Sequence, residues 1–425
     1  MGHRAGEKRN EHANEAVRLS HMDFRALLNR ADDHVVTTNV PRELPSTSPH
    51  RHTIPPQLIS DNEAVDANRC SALSIKRTIA ADFAPLANLA CKLLVVTIMH
   101  YKQLNETDAA NRCAIVLAAG DGIRLRPFVE KLRGDALPKQ YVHLLGNQSM
   151  LEMAFQRAQK LIPPQRLFTV VSDGHFAYTE VAQQLSAYPQ IHVIVQPANK
   201  DTGMGLLLPL AHLSARHPDA TVVVFPADHF ISEEDLFMAH VDAAFDVVER
   251  NPSKIVLLGV APTDPEPEYG YLVPRNDRRS PFPFGIQEVG CFIEKPPSSF
   301  ARTLIARGGL WNTMVMVFKA KTLIEHVRRV KPQLNRCFMR ICDAVGSTDF
   351  LDVVRRVYAD VEPINLSRGL LEALPTHRTS SLLMLPVRGV HWSDWGSEKR
   401  IVSEIATLEN LQPGKESHLS PLSLH

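Results

Sequence analysis

From residue 113 onward, short apolar runs alternate with longer stretches of helical periodicity. The runs 114–118, 167–171, 191–195, 221–225 and 254–260 are almost continuously apolar or β-branched and only a few residues long, as strands buried on both faces are. The run TVVVF at 221–225 ends against Pro226. Between the runs, residues 149–161 place Leu151, Ala154, Phe155, Ala158 and Leu161 on one helical face. Further helices are predicted over 176–187, 202–215 and 320–345. Ser232-Glu233-Glu234-Asp235 is an N-terminal capping signal and predicts a helix over 232–250. Strands alternating with helices predict an α/β fold with a doubly wound, mainly parallel sheet. Ligands of such sheets lie at the carboxyl ends of the strands, which puts the segments after residues 118 and 226 on one rim.

Residues 1–110 do not share this pattern. The first stretch is polar, and the prolines between 41 and 56 read as an irregular linker. The expected organisation is an N-terminal extension over 1–110, a domain over 111–400 and a tail over 401–425. A chain of 425 residues with 44% hydrophobic residues can build a sizeable core. Its net charge of +1 supplies no general field for nucleic acid or membrane. No apolar segment follows Arg4, Lys8 and Arg9 as a secretory signal requires, and the apolar stretch 89–99 is too short to span a bilayer. Six cysteines form no CxxC and no zinc spacing, in keeping with a reducing cytoplasm.

The chemistry concentrates after the first strand. Leu117 and Ala118 lead into Ala119-Gly120-Asp121-Gly122, then Arg124 and Arg126, and later Pro138-Lys139-Gln140. Glycines can take positive φ and put no Cβ between backbone amides and an anion, so strand, glycine turn and cations suit a polyphosphate. The string is not a P-loop, and Leu125 occupies the third glycine position of a dinucleotide fingerprint. Asp228 follows the 221–225 strand directly, where a carboxylate faces the same rim. It suits a hard divalent cation such as Mg²⁺, or a plain turn before the next helix. Lys200-Asp201-Thr202 opens the 202–215 helix, whose free amides and dipole favour an anion. No Ser-His-Asp arrangement or G-x-S-x-G elbow is evident.

LAAGxGxRLxP with a downstream PKQ resembles the signature of the sugar nucleotidyltransferases, and the PKQ form is most like mannose-1-phosphate guanylyltransferases. Further strings follow in family order over about 112–396. Ala227-Asp228-His229 resembles the metal-binding aspartate motif. Residues 196–203 stand where the family reads PxGRNTA, with Lys200 and Asp201 in place of Arg and Asn. Glu268-Tyr269-Gly270-Tyr271-Leu272 resembles TGYGYI, and Cys291–Pro296 resembles FxEKP. Gly308–Met314 resembles sGxWNSGMF, with Thr313 and Met314 in place of Ser and Gly. Val390–Gly396 resembles gWsDvGsW.

The resemblance implies a Rossmann-like nucleotidyltransferase fold with a sugar-binding insertion. It implies transfer of a nucleotidyl group from a nucleoside triphosphate to a sugar 1-phosphate, GTP and mannose 1-phosphate being the expected pair. By position, Arg124, Lys139 and Asp228 are the expected catalytic residues. Leu117, Ala118, Gly120, Gly122, Lys200, Asp201 and Thr202 are expected to bind nucleotide. Gly270, Glu294, Lys295 and Asn312 are expected to bind the sugar phosphate, and Asp228 and Asp394 a Mg²⁺ ion. Neither nucleic acid nor membrane is an expected partner, and a homo-oligomer is left open. Two alternatives stay open: Asp201, Thr313 and Met314 leave another base or sugar, and Ile123, where the family carries a hydroxyl residue, adds with them a nucleotide-sugar-binding regulatory protein impaired in catalysis. The roughly 30 residues after Gly396 are expected to hold neither the β-helix nor the cupin domain that many relatives carry.

Overall fold

The computed structural model describes residues 111–275, 281–376 and 380–411. The chain divides into two units, Met1–Ser71 and Ala72–His425, and every described residue belongs to the second. The expectations for 1–110 and for the tail beyond 411 lie outside the described residues.

In chain order the elements are β1 (Arg112–Leu117), α1 (Arg126–Arg133), α2 (Met150–Gln159), β2 (Leu167–Ser172), α3 (Thr179–Ser186), β3 (His192–Gln196), α4 (Asp201–Arg216), β4 (Thr221–Pro226), β5 (Phe230–Ile231), α5 (Glu234–Arg250) and β6 (Ile255–Val260). There follow β7 (Gly270–Pro274), β8 (Gln287–Glu294), α6 (Ser298–Ala306), β9 (Leu310–Lys319), α7 (Ala320–Val330), α8 (Pro332–Ala344), α9 (Phe350–Asp360), α10 (Leu366–Gly369), β10 (Leu382–Val387), β11 (Trp392–Ser393) and α11 (Glu398–Leu411). Nine strands form one sheet in the order β3-β2-β1-β4-β9-β6-β10-β8-β7, and β7 also pairs with β9.

Each central strand feeds two cores. In β1, Ala114 and Val116 face one apolar cluster, while Cys113 and Ile115 face the other. The same alternation runs through β4, β6, β9 and β10, so helices must cover both faces. Burying each Val, Leu, Ile, Phe or Met side chain among them contributes about 1.5–3 kcal/mol, which is why these strands read as unbroken apolar runs. Among the described residues no helix is long and apolar enough to cross a membrane.

The sheet is mixed, whereas the pattern predicted a mainly parallel one. The β3-β2-β1-β4 half and the β6–β10 pair are parallel. β9 runs antiparallel between β4 and β6, and β7 and β8 pair antiparallel with their neighbours. The reason is the chain path. β7 and β8 are consecutive antiparallel neighbours, so β9 enters from the rim where the parallel strands end. Its Trp311 pairs with Val260, the last residue of β6.

Local details also differ. Ser232 does not cap α5, because its hydroxyl bonds Glu233 and the helix starts at Glu234. The predicted 320–345 helix is broken between Val330 and Pro332, where the proline pushes Lys331 out of helical geometry at φ −133°. A reciprocal capping box at Ser149 and Glu152 starts α2.

Candidate active site

The turn after β1 is built against the PKQ segment. Gly122 has φ +59°, and a Cβ there would lie 3.3 Å from the Lys139 backbone nitrogen. Glycine takes that conformation without strain and leaves that close approach open. Gly120 is exposed, its φ is not positive, and a Cβ there would meet nothing within 4 Å. The amide of Gln140 donates to the carbonyls of Ala118 and Gly120, each at 2.8 Å, which fixes the turn from beneath. Gly120 therefore offers an open backbone face, and Gly122 supplies the bend. Ile123 is 68% exposed beside it.

Asp228 and Asp394 are brought together by a two-stranded ribbon. β5 begins two residues after Asp228, β11 ends one residue before Asp394, and the two strands pair antiparallel. Trp395 stacks on Phe230 with ring centroids 4.8 Å apart. Lys139 fills the space that results. Its Nζ lies 3.1 Å from Asp228 Oδ2 and donates to the carbonyls of Asp394 at 2.6 Å and Trp395 at 3.2 Å. Burial in the cleft pushes the Asp228 carboxyl up, but Lys139 and His229 outweigh it and hold it below the ordinary range. Asp394 is depressed in the same way by Lys139, His229 and Arg400 against the effect of burial.

Asp394 Oδ1 accepts from Tyr269 Oη at 2.9 Å, from the Gly396 amide at 3.0 Å and from Arg400. Its Oδ2 faces Arg124 Nη2 at 4.0 Å, and Arg124 also pairs with Glu268. Two carboxylates with a partly exposed face fit a hard cation that takes its remaining ligands from phosphates and water. No cluster of three or more His, Cys, Asp or Glu with the geometry of a metal cage occurs among the described residues. Asp228 Oδ1 faces His229 Nε2 at 3.8 Å and Asp394 Oδ2 faces Arg124 at 4.0 Å, both beyond hydrogen-bond reach.

A second group forms where β6 ends and β9 begins. A Cβ on Gly270 would lie 2.6 Å from Glu294 Oε2 and 3.5 Å from the Asn312 Cβ. The space left by this glycine is thus filled by the protein's own carboxylate, where close approach of a sugar was expected. Burial raises the Glu294 carboxyl above its ordinary value despite Lys295. Lys295 has φ +52°, an exposed side chain, and a backbone amide bonded to the Tyr269 carbonyl at 3.1 Å. Tyr269 thereby joins the Glu294-Lys295 corner to Asp394.

The start of α4 is stitched to the segment before α10. The Ile364 amide donates to Lys200 O at 3.1 Å, and Thr202 Oγ1 accepts from the Leu366 amide at 2.9 Å. Asp201, with φ +62°, accepts from the Thr202 amide at 2.6 Å. Asn199 reaches across to Asp121 at 2.9 Å and so ties this corner to the glycine turn.

Several contributors were given no role from the sequence. His175 lies 3.5 Å from Asp121 Oδ1 through Nε2 and 3.0 Å from Tyr141 Oη through Nδ1, and burial lowers its pKa. Glu372 Oε1 accepts the Glu294 backbone amide at 2.8 Å. Arg400 holds both Asp394 and Glu266, the latter at 2.7 Å.

The nucleotidyl transferase family model matches residues 113–410. The chain is 26% identical over 285 residues to the xanthan biosynthesis protein XanB of Xanthomonas campestris pv. campestris, covering 67% of this chain and 57% of that protein. It is 27% identical over 292 residues to the mannose-1-phosphate guanylyltransferase of Escherichia coli K12, again covering 67% of this chain and 57% of that one. It thus spans a little over half the length of these curated relatives. A Thermus thermophilus structure described as mannose-1-phosphate geranyltransferase superposes with a TM-score of 0.58 at 26% identity, covering 69% of this chain and 79% of that one. With the model spanning both the glycine turn and the Asp394 ribbon that Lys139 links, the chain belongs to the nucleotidyl transferase family.

Proposed function

We propose that this chain is a Mg²⁺-dependent sugar-1-phosphate nucleotidyltransferase that joins GTP to mannose 1-phosphate, giving GDP-mannose and pyrophosphate. One observation carries the reading: the buried Lys139 ammonium lies between the Asp228 carboxylate and the Asp394 and Trp395 carbonyls, directly beneath the Gly120–Gly122 turn. The similarity to proteins named mannose-1-phosphate guanylyltransferase supports the choice of base and sugar.

The main obstacle is bringing two polyanions together. Arg124, Lys139 and Lys295 offset that repulsion in a partly dry cleft. Leu117, Ala118, Gly120 and Gly122 present backbone to the triphosphate, and Lys200, Asp201 and Thr202 present the start of α4. Glu294, Lys295 and Asn312 orient the sugar phosphate, with Gly270 giving Glu294 its room. A phosphate monoester has its second pKa near about 6, so the attacking oxygen is already ionised at neutral pH and no general base is required. It attacks the α-phosphorus in line, and pyrophosphate leaves. Asp228 and Asp394 would hold the metal ion, which when bound supplies charge neutralisation on the phosphates.

Pyrophosphate release from a panel of triphosphates and sugar 1-phosphates tests the proposal. Fastest turnover with GTP and mannose 1-phosphate is expected, abolished by chelation and restored by Mg²⁺. Release from no pair, with a nucleotide sugar still bound, would identify a binding protein instead.

A further inference from the structure

Met314 occupies an unusual place in the group around Gly270. It has φ +59°, a conformation that bulky side chains rarely adopt. Its thioether accepts from Asn312 Nδ2 at 3.3 Å, and its backbone amide donates to Asn312 Oδ1 at 3.2 Å. Both ends of the Asn312 amide are therefore turned back onto Met314. The hydroxyl of Ser367 lies 3.4 Å from the same sulfur and is shared with the Glu294 carboxylate. Asn312 is only 4% exposed, so an amide there needs partners, and it has them before any substrate arrives.

That arrangement bears on selectivity. A site that hydrogen-bonds a substrate hydroxyl rejects the deoxy analogue mainly because its own buried polar group is then left unpaired. Here that penalty is reduced, since the sulfur already takes one of the two Asn312 N–H donors and the Met314 amide already meets its oxygen. Building on the sugar-phosphate reading of this site, we propose that Met314 makes it permissive: the chain accepts hexose 1-phosphates with or without the hydroxyl that faces Asn312. Met314 is a specificity-determining residue acting through Asn312.

The test compares the full-length protein with Met314→Gly, which relieves the positive φ and frees the Asn312 donor. Mannose 1-phosphate and its four monodeoxy derivatives are the probes, each measured by kcat/KM with GTP and by calorimetric binding. The unmodified protein is expected to treat the parent and one deoxy derivative within about threefold of each other. Met314→Gly is expected to favour the parent at that position by about 10- to 100-fold, with the ratios at the other positions unchanged. Met314→Ala also removes the sulfur, is expected to shift the ratio in the same direction, and serves if the glycine variant does not fold. Unchanged ratios at every position overturn the inference, whether read by turnover or by binding. Absence of turnover in both forms with sugar phosphates still bound removes the catalytic reading alone, because the binding ratios still decide Met314. Absence of binding to any probe in both forms overturns the inference together with the assignment of this site to sugar phosphate.

Discussion

Deleting the Lys139 charge tests how the cleft is held together. The residue is 6% exposed, and its ammonium reaches Asp228 at 3.1 Å and two carbonyls at 2.6 and 3.2 Å. Lys139→Met keeps most of the stem and strands all three acceptors. Removing one partner of a buried pair costs about 3–5 kcal/mol when the other charge stays dry. The Asp228 side chain is 38% exposed, so water recovers part of this and a cost of about 2–3 kcal/mol is expected. In a domain of this size that lowers Tm by about 4–6 °C. Asp228→Asn in the same chain removes the stranded charge, so the double variant is less destabilised than the sum of the singles by about 1–2 kcal/mol. Thermal and urea unfolding of the full-length protein, followed by circular dichroism, gives these numbers. Pyrophosphate release on the same samples is expected to fall about 10²–10³-fold in Lys139→Met. A Tm within about 1 °C of the unmodified protein, or energies that add within about 0.5 kcal/mol, would refute the reasoning.

The two glycines of the turn are expected to separate stability from binding. Gly122→Ala, at φ +59° and against the Lys139 backbone, costs about 1–2 kcal/mol in urea unfolding. Gly120→Ala changes stability by less than about 0.5 kcal/mol yet weakens calorimetric triphosphate binding, because its Cβ enters the open side of the turn. Glu372→Ala unties the Glu294 amide and is expected to raise KM for sugar 1-phosphate several-fold while leaving nucleotide affinity unchanged in initial-rate kinetics. The fourth prediction concerns pH. Burial, with Arg216 and His192 nearby, pulls the His212 imidazole down to about 4, and the ring packs edge-on against Phe350 at 4.7 Å. Above about 6.5 both folded and unfolded forms are neutral there. As pH falls toward 4 only the unfolded chain takes up the proton, so stability is lost across that window. Chemical denaturation at pH 7 and pH 4 is expected to show His212→Leu losing less, by up to about 3 kcal/mol and less where water reaches the ring.

The parts of the fold that were readable from sequence are those whose burial is extreme. β1, β4 and β6 lie between two apolar layers and announce themselves as apolar runs. The antiparallel placement of β9 was not readable, because strand direction depends on where the chain re-enters the sheet and leaves no trace in residue type. β5 and β11 are two residues each, too short for any periodicity, yet they bring Asp228 and Asp394 together. The string around Gly120 and Lys139 stood out because a backbone bend and a buried cation need particular residues at fixed spacing. His175 and Arg400 did not, since a polar side chain that serves a distant loop looks like any surface residue until the chain folds, and Glu372, in a segment that departs from the family pattern, was given no role. Gly270 was read as making room for a sugar, whereas the atom nearest the position of its missing Cβ is Glu294 Oε2, which no pattern in the sequence indicated.

The ribbon of β5 with β11 also constrains when the protein becomes competent. Its two halves are 163 positions apart at the His229–Trp392 contact, and β10, between β6 and β8 in the sheet, also follows them in the chain. During synthesis the glycine turn and Asp228 leave the ribosome long before Asp394 exists to face them. A nascent chain can pair β1 to β4 early, but the cleft closes only when β11 arrives. Any reaction hosted there is withheld until translation has passed Asp394.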